Sequence, residues 1–211
     1  FYDFGDYQII GASPESLVSV KQGQVTTNPI AGTRPRGKDE REDKALAKEL
    51  LADEKEVAEH RMLVDLGRND IGKIAQNNSV EVTKYMEVEY FRYVMHLTSV
   101  VSGQLLPQLT AMDALKSTLP AGTVSGAPKI RAMKRIYELE QEKRGVYAGA
   151  IGYLSATGDM DVAIAIRTMI LKNGRAYVQA GAGIVYDSIP ANEYQETINK
   201  AKSMTKIGEM Q

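Results

Sequence analysis

The stretch GAGIVYDSIPANEYQETINK, residues 181–200, joins a glycine turn to a helix and organises the interpretation of the whole chain. Residues 175–180 before it alternate in the manner of a strand. Gly181 and Gly183 carry no side chain that would keep a ligand away from the backbone amides. Pro190 is typical of a first helical turn. The stretch therefore predicts a strand end, a turn with accessible amides, and a helix.

Two glutamates of this helix, Glu193 and Glu196, are three residues apart and therefore lie on one face. Like charges on adjacent turns repel unless a cation joins them, and a hard divalent ion with oxygen ligands would do so. The alternative is a surface helix with an ordinary Glu196–Lys200 pair, worth about 0.2–0.5 kcal/mol. Spacing alone favours this second interpretation, and both stay open at this point.

The composition is that of an ordinary globular protein. The chain has 211 residues, of which 43% are hydrophobic and 25% charged, and a net charge of -1. Neither a nucleic-acid nor a membrane partner is indicated, and no apolar run has membrane-spanning length. The absence of Cys excludes disulfides, thiolate metal sites and a cysteine nucleophile, and it is compatible with a cytoplasmic location. The two His make a His-rich metal site implausible.

The beginning of the chain predicts that more protein precedes it. Phe1 is not Met and falls directly within a strand-like alternation. We therefore expect residues 1–211 to be one domain portion of a longer protein whose N-terminal part is missing.

Hydrophobic periodicity predicts both strands and helices along the chain. The predicted strands are 1–12 as two short pieces, 17–20 and 24–30 as a hairpin, 79–92, 93–106, 146–156, 160–172 and 175–182. The predicted helices are 39–52, 53–76, 110–119 and 128–143. Ile130, Met133, Ile136 and Leu139 are predicted to face inward from the last of these, and residues 120–129 to form a loop that leads into it.

The motif GTRPRGK, residues 32–38, fits the first seven positions of a phosphate-binding P-loop. However, Asp39 stands where Ser or Thr should bind magnesium, and Pro35 removes an amide from the cradle. A nucleotide site is therefore rejected. A small-anion contact at Arg34 and Arg36, or a solvated basic loop, remains.

Three polar residues occur in apolar surroundings. Glu59 shares a helix face with Met62 and Leu63, and such a carboxylate needs an arginine or a metal ion as partner. His96 on a strand is either a hydrogen-bonded core residue or a catalytic one. Arg167 interrupts an apolar strand, which predicts a buried anion partner from the protein or from a ligand.

Taken in order, six motifs resemble the chorismate-binding enzymes and, within that family, the large subunit (component I) of anthranilate synthase. They are PIAGTR at 29–34, AEHRMLVDL at 58–66, PAGTVSGAPK at 120–129, IRT at 166–168, GAGIV at 181–185 and EYQET at 193–197. The resemblance covers essentially the whole chain, and six ordered motifs are far more specific than any single one. It implies an α+β fold with two stacked, mainly antiparallel sheets flanked by helices.

The resemblance also implies a magnesium ion and a set of site residues. Glu59 and Glu196 would ligate Mg²⁺ directly, and Glu193 would reach it through a water. The residues implied to bind chorismate are Gly32, Thr33, Tyr147, Arg167, Gly181, Ala182, Gly183 and Lys200. The residues implied in catalysis are His96 near the departing C4 hydroxyl, Glu15 as an acid/base group at the same ring edge, and Thr123 in the pocket.

The activity that the resemblance implies is amination of chorismate at C2 by ammonia, with loss of the C4 hydroxyl and of pyruvate, to give anthranilate for tryptophan biosynthesis. Ala31 supports this branch, because aminodeoxychorismate synthases commonly carry a nucleophilic Lys there. The ammonia would come from a separate glutamine amidotransferase subunit, since glutaminase chemistry needs a Cys nucleophile. Two alternatives stay open: an aminodeoxychorismate, isochorismate or salicylate synthase of the same family, and an inactive fragment that only binds a ligand.

Overall fold

Antiparallel strands drawn from both ends of the chain build two sheets in the computed structural model, which describes residues 1–205. The strands are β1 Tyr2–Asp3, β2 Gln8–Gly11, β3 Ser16–Lys21, β4 Gln24–Thr27, β5 Ile30–Pro35, β6 Glu81–Tyr90, β7 Val94–Gln104, β8 Ala150–Leu154, β9 Met160–Ile164, β10 Thr168–Lys172 and β11 Arg175–Val178. The helices are α1 Glu40–Ala52, α2 Glu54–Gly72, α3 Ala111–Thr118, α4 Gly122–Ser125, α5 Lys129–Leu139 and α6 Pro190–Thr205.

The two sheets differ in size. The smaller sheet has the strand order β1-β2-β10-β11, and the larger one has the order β5-β7-β4-β3-β9-β8, with β6 also paired to β7. Every neighbouring pair runs antiparallel. The predicted α+β class with two antiparallel sheets and accompanying helices is confirmed.

The main hydrophobic core lies between the larger sheet and helices α2 and α3. Val18 and Val101 from the strands are fully buried together with Ile71 of α2. A smaller cluster joins Leu50 of α1 to Leu97 of β7. Helices α1 and α2 both pack on β7. Polar side chains of α2 and of β7 can therefore contact each other.

A buried polar contact fixes α2 on β7. His60 Nε2 lies 2.6 Å from Ser99 Oγ, and both residues are fully buried. The same hydroxyl accepts a hydrogen bond from the Met86 amide at 2.9 Å, which ties in the irregular part of β6. Burial lowers the pKa of His60 to about 4, so its ring is neutral near pH 7. His60 is therefore structural, and it holds the helix turn that carries Glu59.

The predicted single strand 160–172 is wrong, because the chain breaks there and changes sheets. Strand β9 pairs with β3 and β8 in the larger sheet, whereas β10 pairs with β2 and β11 in the smaller one. Arg167 lies in the break with a φ of 50°, and its carbonyl accepts a hydrogen bond from the Ala12 amide at 3.1 Å. The half-buried Arg167 side chain therefore projects from the crossover between the sheets, not from a continuous strand.

The helices depart from their predictions in two places. The predicted loop 120–129 contains the short helix α4. Helix α5 buries none of its residues, so the prediction that its apolar residues face inward is wrong: Ile130 is 68% and Leu139 is 78% exposed.

Helix α1 begins where a local hydrogen bond caps it, since the Asp39 carboxylate accepts a hydrogen bond from the Glu42 amide at 2.8 Å. Within residues 1–205, no helix is both long enough and apolar enough to cross a membrane.

The two arginines at the end of β5 and just after it form ion pairs within the protein. Arg34 donates to Glu49 at 2.9 Å and to Asp53 at 2.8 Å, and Arg36 pairs with Asp43. The anions that these arginines contact are therefore the protein's own carboxylates. Neither the small-anion contact nor the solvated loop describes the segment, which instead links β5 to α1 and α2.

Candidate active site

Glu15 and Thr123 meet although 108 residues separate them in sequence. Glu15 precedes β3, Thr123 lies in α4, and the Thr123 hydroxyl donates to the Glu15 carboxylate at 2.8 Å. Burial raises the pKa of Glu15 to about 6, although the Thr123 hydrogen bond and the charge of Lys200 both lower it. Glu15 can therefore hold or release a proton close to neutral pH, as an acid/base group must.

Replacing Glu15 by Gln is expected to stabilise the protein at about pH 7.5, by at most about 2 kcal/mol. The native pKa of about 6 lies above the ordinary 4.5, so the charged form is disfavoured by folding. The penalty is absent below about pH 4.5 and fully present above about pH 6, which makes stability fall across that window as the pH rises. Gln removes the charge and still accepts from Thr123.

Urea unfolding of Glu15→Gln and of the parent at about pH 7.5 and about pH 4 measures this effect. The exposed Glu138→Gln is the matched control, with no gain expected at either pH. An equal gain from Glu15→Gln at both pH values would show that ionisation of Glu15 is not its source.

The glycine turn and α6 fold back on each other through Lys200. Its ammonium lies 2.5 Å from Glu196 Oε1, one helical turn away, and donates to the Gly181 carbonyl at 3.2 Å. Gly181 also approaches Tyr147, because a Cβ at position 181 would lie 2.8 Å from the Tyr147 hydroxyl. Gly181 thus lies between Tyr147 and Lys200, and a larger residue at 181 would displace the phenol.

The rest of the turn is irregular. Strand β11 ends at Val178 and not at 182 as predicted, so Gly181, Ala182 and Gly183 lie in the connection to α6. Gly183 is exposed, whereas Ala182 is half-buried. The backbone of the turn is therefore outside the sheet ladder, as a ligand-binding turn requires.

The carboxylates of α2 and α6 share one electrostatic environment. Burial is the main cause that raises the pKa of Glu59, and the negative charges of Glu56 and Glu196 add to it, while Lys55 and Lys200 oppose it. The tertiary structure therefore places Glu59 and Glu196 near enough to repel each other, although they belong to helices far apart in sequence.

The donor set on these helices fits a hard divalent cation. It consists of carboxylate oxygens, which magnesium prefers, although Lys55 and Lys200 already offset part of the negative charge around Glu59. Glu193 is half-buried one turn before Glu196. Within residues 1–205, no three His, Cys, Asp or Glu side chains are grouped closely enough to hold a metal by themselves. The assignment of Glu59, Glu193 and Glu196 as magnesium ligands stays a prediction.

Glu56 is a neighbouring carboxylate that the sequence interpretation missed. Its charge raises the pKa of Glu59, and a Cβ at position 32 would lie 3.3 Å from Glu56 Oε2. The sequence contains a pattern that could have identified Glu56, because the Glu-x-x-Glu spacing at 56 and 59 repeats that of Glu193 and Glu196.

His96 is held in a defined orientation by β5. It lies opposite Thr33 in the ladder, and its Nδ1 is 2.8 Å from the Gly32 carbonyl and 3.1 Å from the Thr33 hydroxyl. A carbonyl can only accept, so Nδ1 carries the hydrogen and Nε2 is the nitrogen left for a substrate. Gly32, at a φ of 68°, forms a bulge that turns its carbonyl toward the ring. The half-buried His96 is not a core residue.

The structure brings several of the predicted residues together in two groups. One contains Glu15, Thr123 and Lys200, and the other contains His96 with Gly32 and Thr33. The charge of Lys200 acts on both Glu15 and Glu59.

Comparison with known proteins places this geometry in a family. A family model described as chorismate binding enzyme matches residues 1–206. Anthranilate synthase component 1 of Lactococcus lactis subsp. lactis is 64% identical over 209 residues, which are 99% of this chain and 46% of that protein. The protein of the same name from Thermus thermophilus is 56% identical over 100% of this chain and 46% of its own length.

Solved structures share the fold. The crystal structure of anthranilate synthase component I from Streptococcus pneumoniae TIGR4 is 84% identical with a TM-score of 0.90, covering 97% of this chain and 45% of that one. A putative 2,3-dihydroxybenzoate-specific isochorismate synthase from Bacillus anthracis is 31% identical with a TM-score of 0.84, covering 100% and 56%. The chain spans less than half the length of the anthranilate synthase relatives it matches.

Proposed function

The chain belongs to the chorismate-binding enzymes, and from that premise we propose that it is the catalytic C-terminal portion of an anthranilate synthase large subunit. The reaction would be the magnesium-dependent amination of chorismate at C2 by ammonia, with loss of the C4 hydroxyl and elimination of pyruvate to give anthranilate. The observation that carries this proposal is 64% identity to a relative of that name over 99% of the chain. Isochorismate formation is not favoured, because the isochorismate synthases that share the fold are only 31% and 28% identical.

The residues of the site suit the substrate, a dicarboxylate with a leaving hydroxyl. Glu59 and Glu196 would hold a magnesium ion directly, and Glu193 would reach it through a water. Bound there, the ion would fix the ring carboxylate and draw electron density from the diene. Lys200 and Arg167 supply positive charge for the enolpyruvyl carboxylate.

Protons would be handled by His96 and Glu15. With Nδ1 donating to Gly32, His96 presents Nε2, which can deliver a proton to the leaving C4 oxygen only when the ring is protonated. Glu15, with a pKa near 6, can take the C2 proton as the ring becomes aromatic. Thr123 orients that carboxylate through its 2.8 Å hydrogen bond.

Ala31 determines which nucleophile is available. It lies in β5 beside Gly32, is 9% exposed and carries no amine, so ammonia must attack C2 itself and no covalent ring–lysine adduct can form at this position. Residues 1–211 hold no Cys nucleophile for glutaminase chemistry. We propose that a separate glutamine amidotransferase subunit supplies the ammonia and that the reaction takes place in the cytoplasm.

The full-length protein incubated with chorismate, Mg²⁺ and ammonium tests the proposal. We expect anthranilate, followed by its fluorescence and identified by mass spectrometry, and no product without magnesium. Isochorismate, salicylate or a para-aminated product would contradict the assignment. The 211-residue chain assayed in parallel distinguishes a catalytic portion from one that only binds ligand.

A further inference from the structure

The side chain of Lys129 makes two buried contacts at the start of α5. Its ammonium lies 2.6 Å from Asp70 Oδ2 and donates to the Thr118 carbonyl at 2.9 Å. The Lys129 and Asp70 side chains are only 11% and 6% exposed. The Asp70 backbone is held as well, since the Ser117 hydroxyl donates to its carbonyl. Removing one partner of such a desolvated, hydrogen-bonded ion pair is strongly destabilising, because the other charge is left buried and unpaired.

These contacts close the loop that carries Thr123. Thr118 is the last residue of α3 and Lys129 the first of α5, so the lysine joins the two ends of segment 119–128. Within the segment, Arg144 donates to the Val124 carbonyl at 2.6 Å. The loop is thereby fixed at its ends and beside Thr123.

The closure and the acid/base group border the same space. Asp70, Thr118, Thr123 and Glu15 all line one cavity of about 40 Å³, which is room for water-sized molecules. A loop released from Lys129 can shift into that space, and the Thr123 hydroxyl would shift with it. The charge of Lys200 on α6 acts on Glu15, and Asp70 is a second charged residue that lines the cavity.

We propose that Lys129 is a positioning residue which, by closing segment 119–128 onto Asp70 and Thr118, keeps the Thr123 hydroxyl on the Glu15 carboxylate. The catalytic role of Glu15 in this inference rests on the proposed function. The hydrogen bond between Thr123 and Glu15 is independent of that function. Lys129 itself touches no reacting atom.

The test is a titration of Glu15 that needs no turnover. The full-length protein is labelled with ¹³C in its glutamate carboxyls, and the Glu15 signal is assigned by its loss in Glu15→Gln. Thr123→Val removes a hydrogen bond that favours the carboxylate and should raise the Glu15 pKa by roughly 0.5 to 1. Lys129→Met should raise it in the same direction, and the double variant should add little to either single change, since the same hydrogen bond is lost.

Lys73→Met is the matched control. Lys73 pairs with the other oxygen of Asp70 at 3.1 Å but is 54% exposed and does not bridge the loop ends, so the Glu15 pKa should stay unchanged. Lys129→Gln keeps a donor for the Thr118 carbonyl and should give a smaller shift, which provides a second measurement if Lys129→Met does not fold. The pH profile of anthranilate formation should move with the titration.

Two results would overturn the inference. One is a Lys129→Met protein with lowered melting temperature and an unshifted Glu15 pKa, which would make the lysine merely structural. The other is full additivity of Lys129→Met and Thr123→Val. Because the titration is independent of catalysis, a failure to form anthranilate would count against the proposed function and leave these outcomes readable.

Discussion

Glu59→Gln and Glu196→Gln are each expected to abolish magnesium-dependent anthranilate formation in the full-length protein. A neutral amide is a poor ligand for a hard dication, and the loss should exceed the roughly 10–100-fold effect typical of an outer-sphere partner. Glu193→Gln should fall within that smaller range, because the proposal places Glu193 at the metal through a water. Rates at increasing Mg²⁺ and calorimetric magnesium binding without chorismate measure the effect.

The structure indicates that loss of activity in Glu59→Gln would not result from misfolding. Burial and two neighbouring carboxylates disfavour the charged form of Glu59, so Glu59→Gln should fold at least as stably as the parent without metal. The exposed Glu138→Gln controls for loss of a surface charge. Near-normal activity of either ligand variant at ordinary magnesium would reject the assignment.

His96→Ala is expected to lower turnover by about 10²–10⁴-fold with little change in the Michaelis constant for chorismate. Proton delivery to the leaving oxygen matters in the transition state and not in the ground state, so the loss should appear in kcat. Steady-state kinetics with saturating ammonium and magnesium separate the two parameters.

His96→Asn tests which property of the ring matters. An Asn amide can replace the Nδ1 donation to the Gly32 carbonyl but has no group that transfers a proton. We therefore expect His96→Asn to fold normally and to be about as impaired as the alanine variant. Recovery of activity in His96→Asn, or a loss confined to the Michaelis constant, would assign His96 to packing or binding.

Local features of the chain were predicted correctly where the cause is local. The hairpin at 17–30 turns at Gln22 and Gly23, both with positive φ, as a tight turn between antiparallel strands requires. The helix beginning at Pro190 and the two short strands before Gly11 were likewise readable from turn residues and alternation. These signals lie within a few residues of the structure that they specify.

The change of sheet at 165–167 could not be predicted in this way. The apolar residues on both sides of Arg167 have the pattern of one buried strand. In the structure the first half is β9 of the larger sheet and the second half is the partly buried β10 of the smaller sheet. The prediction that the apolar face of α5 is buried was wrong for a related reason. Periodicity predicts that a face is apolar, but it does not predict what packs on that face within the described residues.

The sequence by itself determined most of the element types, the family and the residue types of the site, since ordered motifs and side-chain chemistry are properties of the chain. Only the tertiary structure decided two contacts, Thr123 on Glu15 across 108 residues and Lys129 on Asp70 across 59. It also decided that the charge of Glu196 raises the pKa of Glu59. The burial that raises the pKa of Glu15 was not readable either. The physical reason is that desolvation and charge coupling depend on which elements pack together, and packing is fixed by distant parts of the chain.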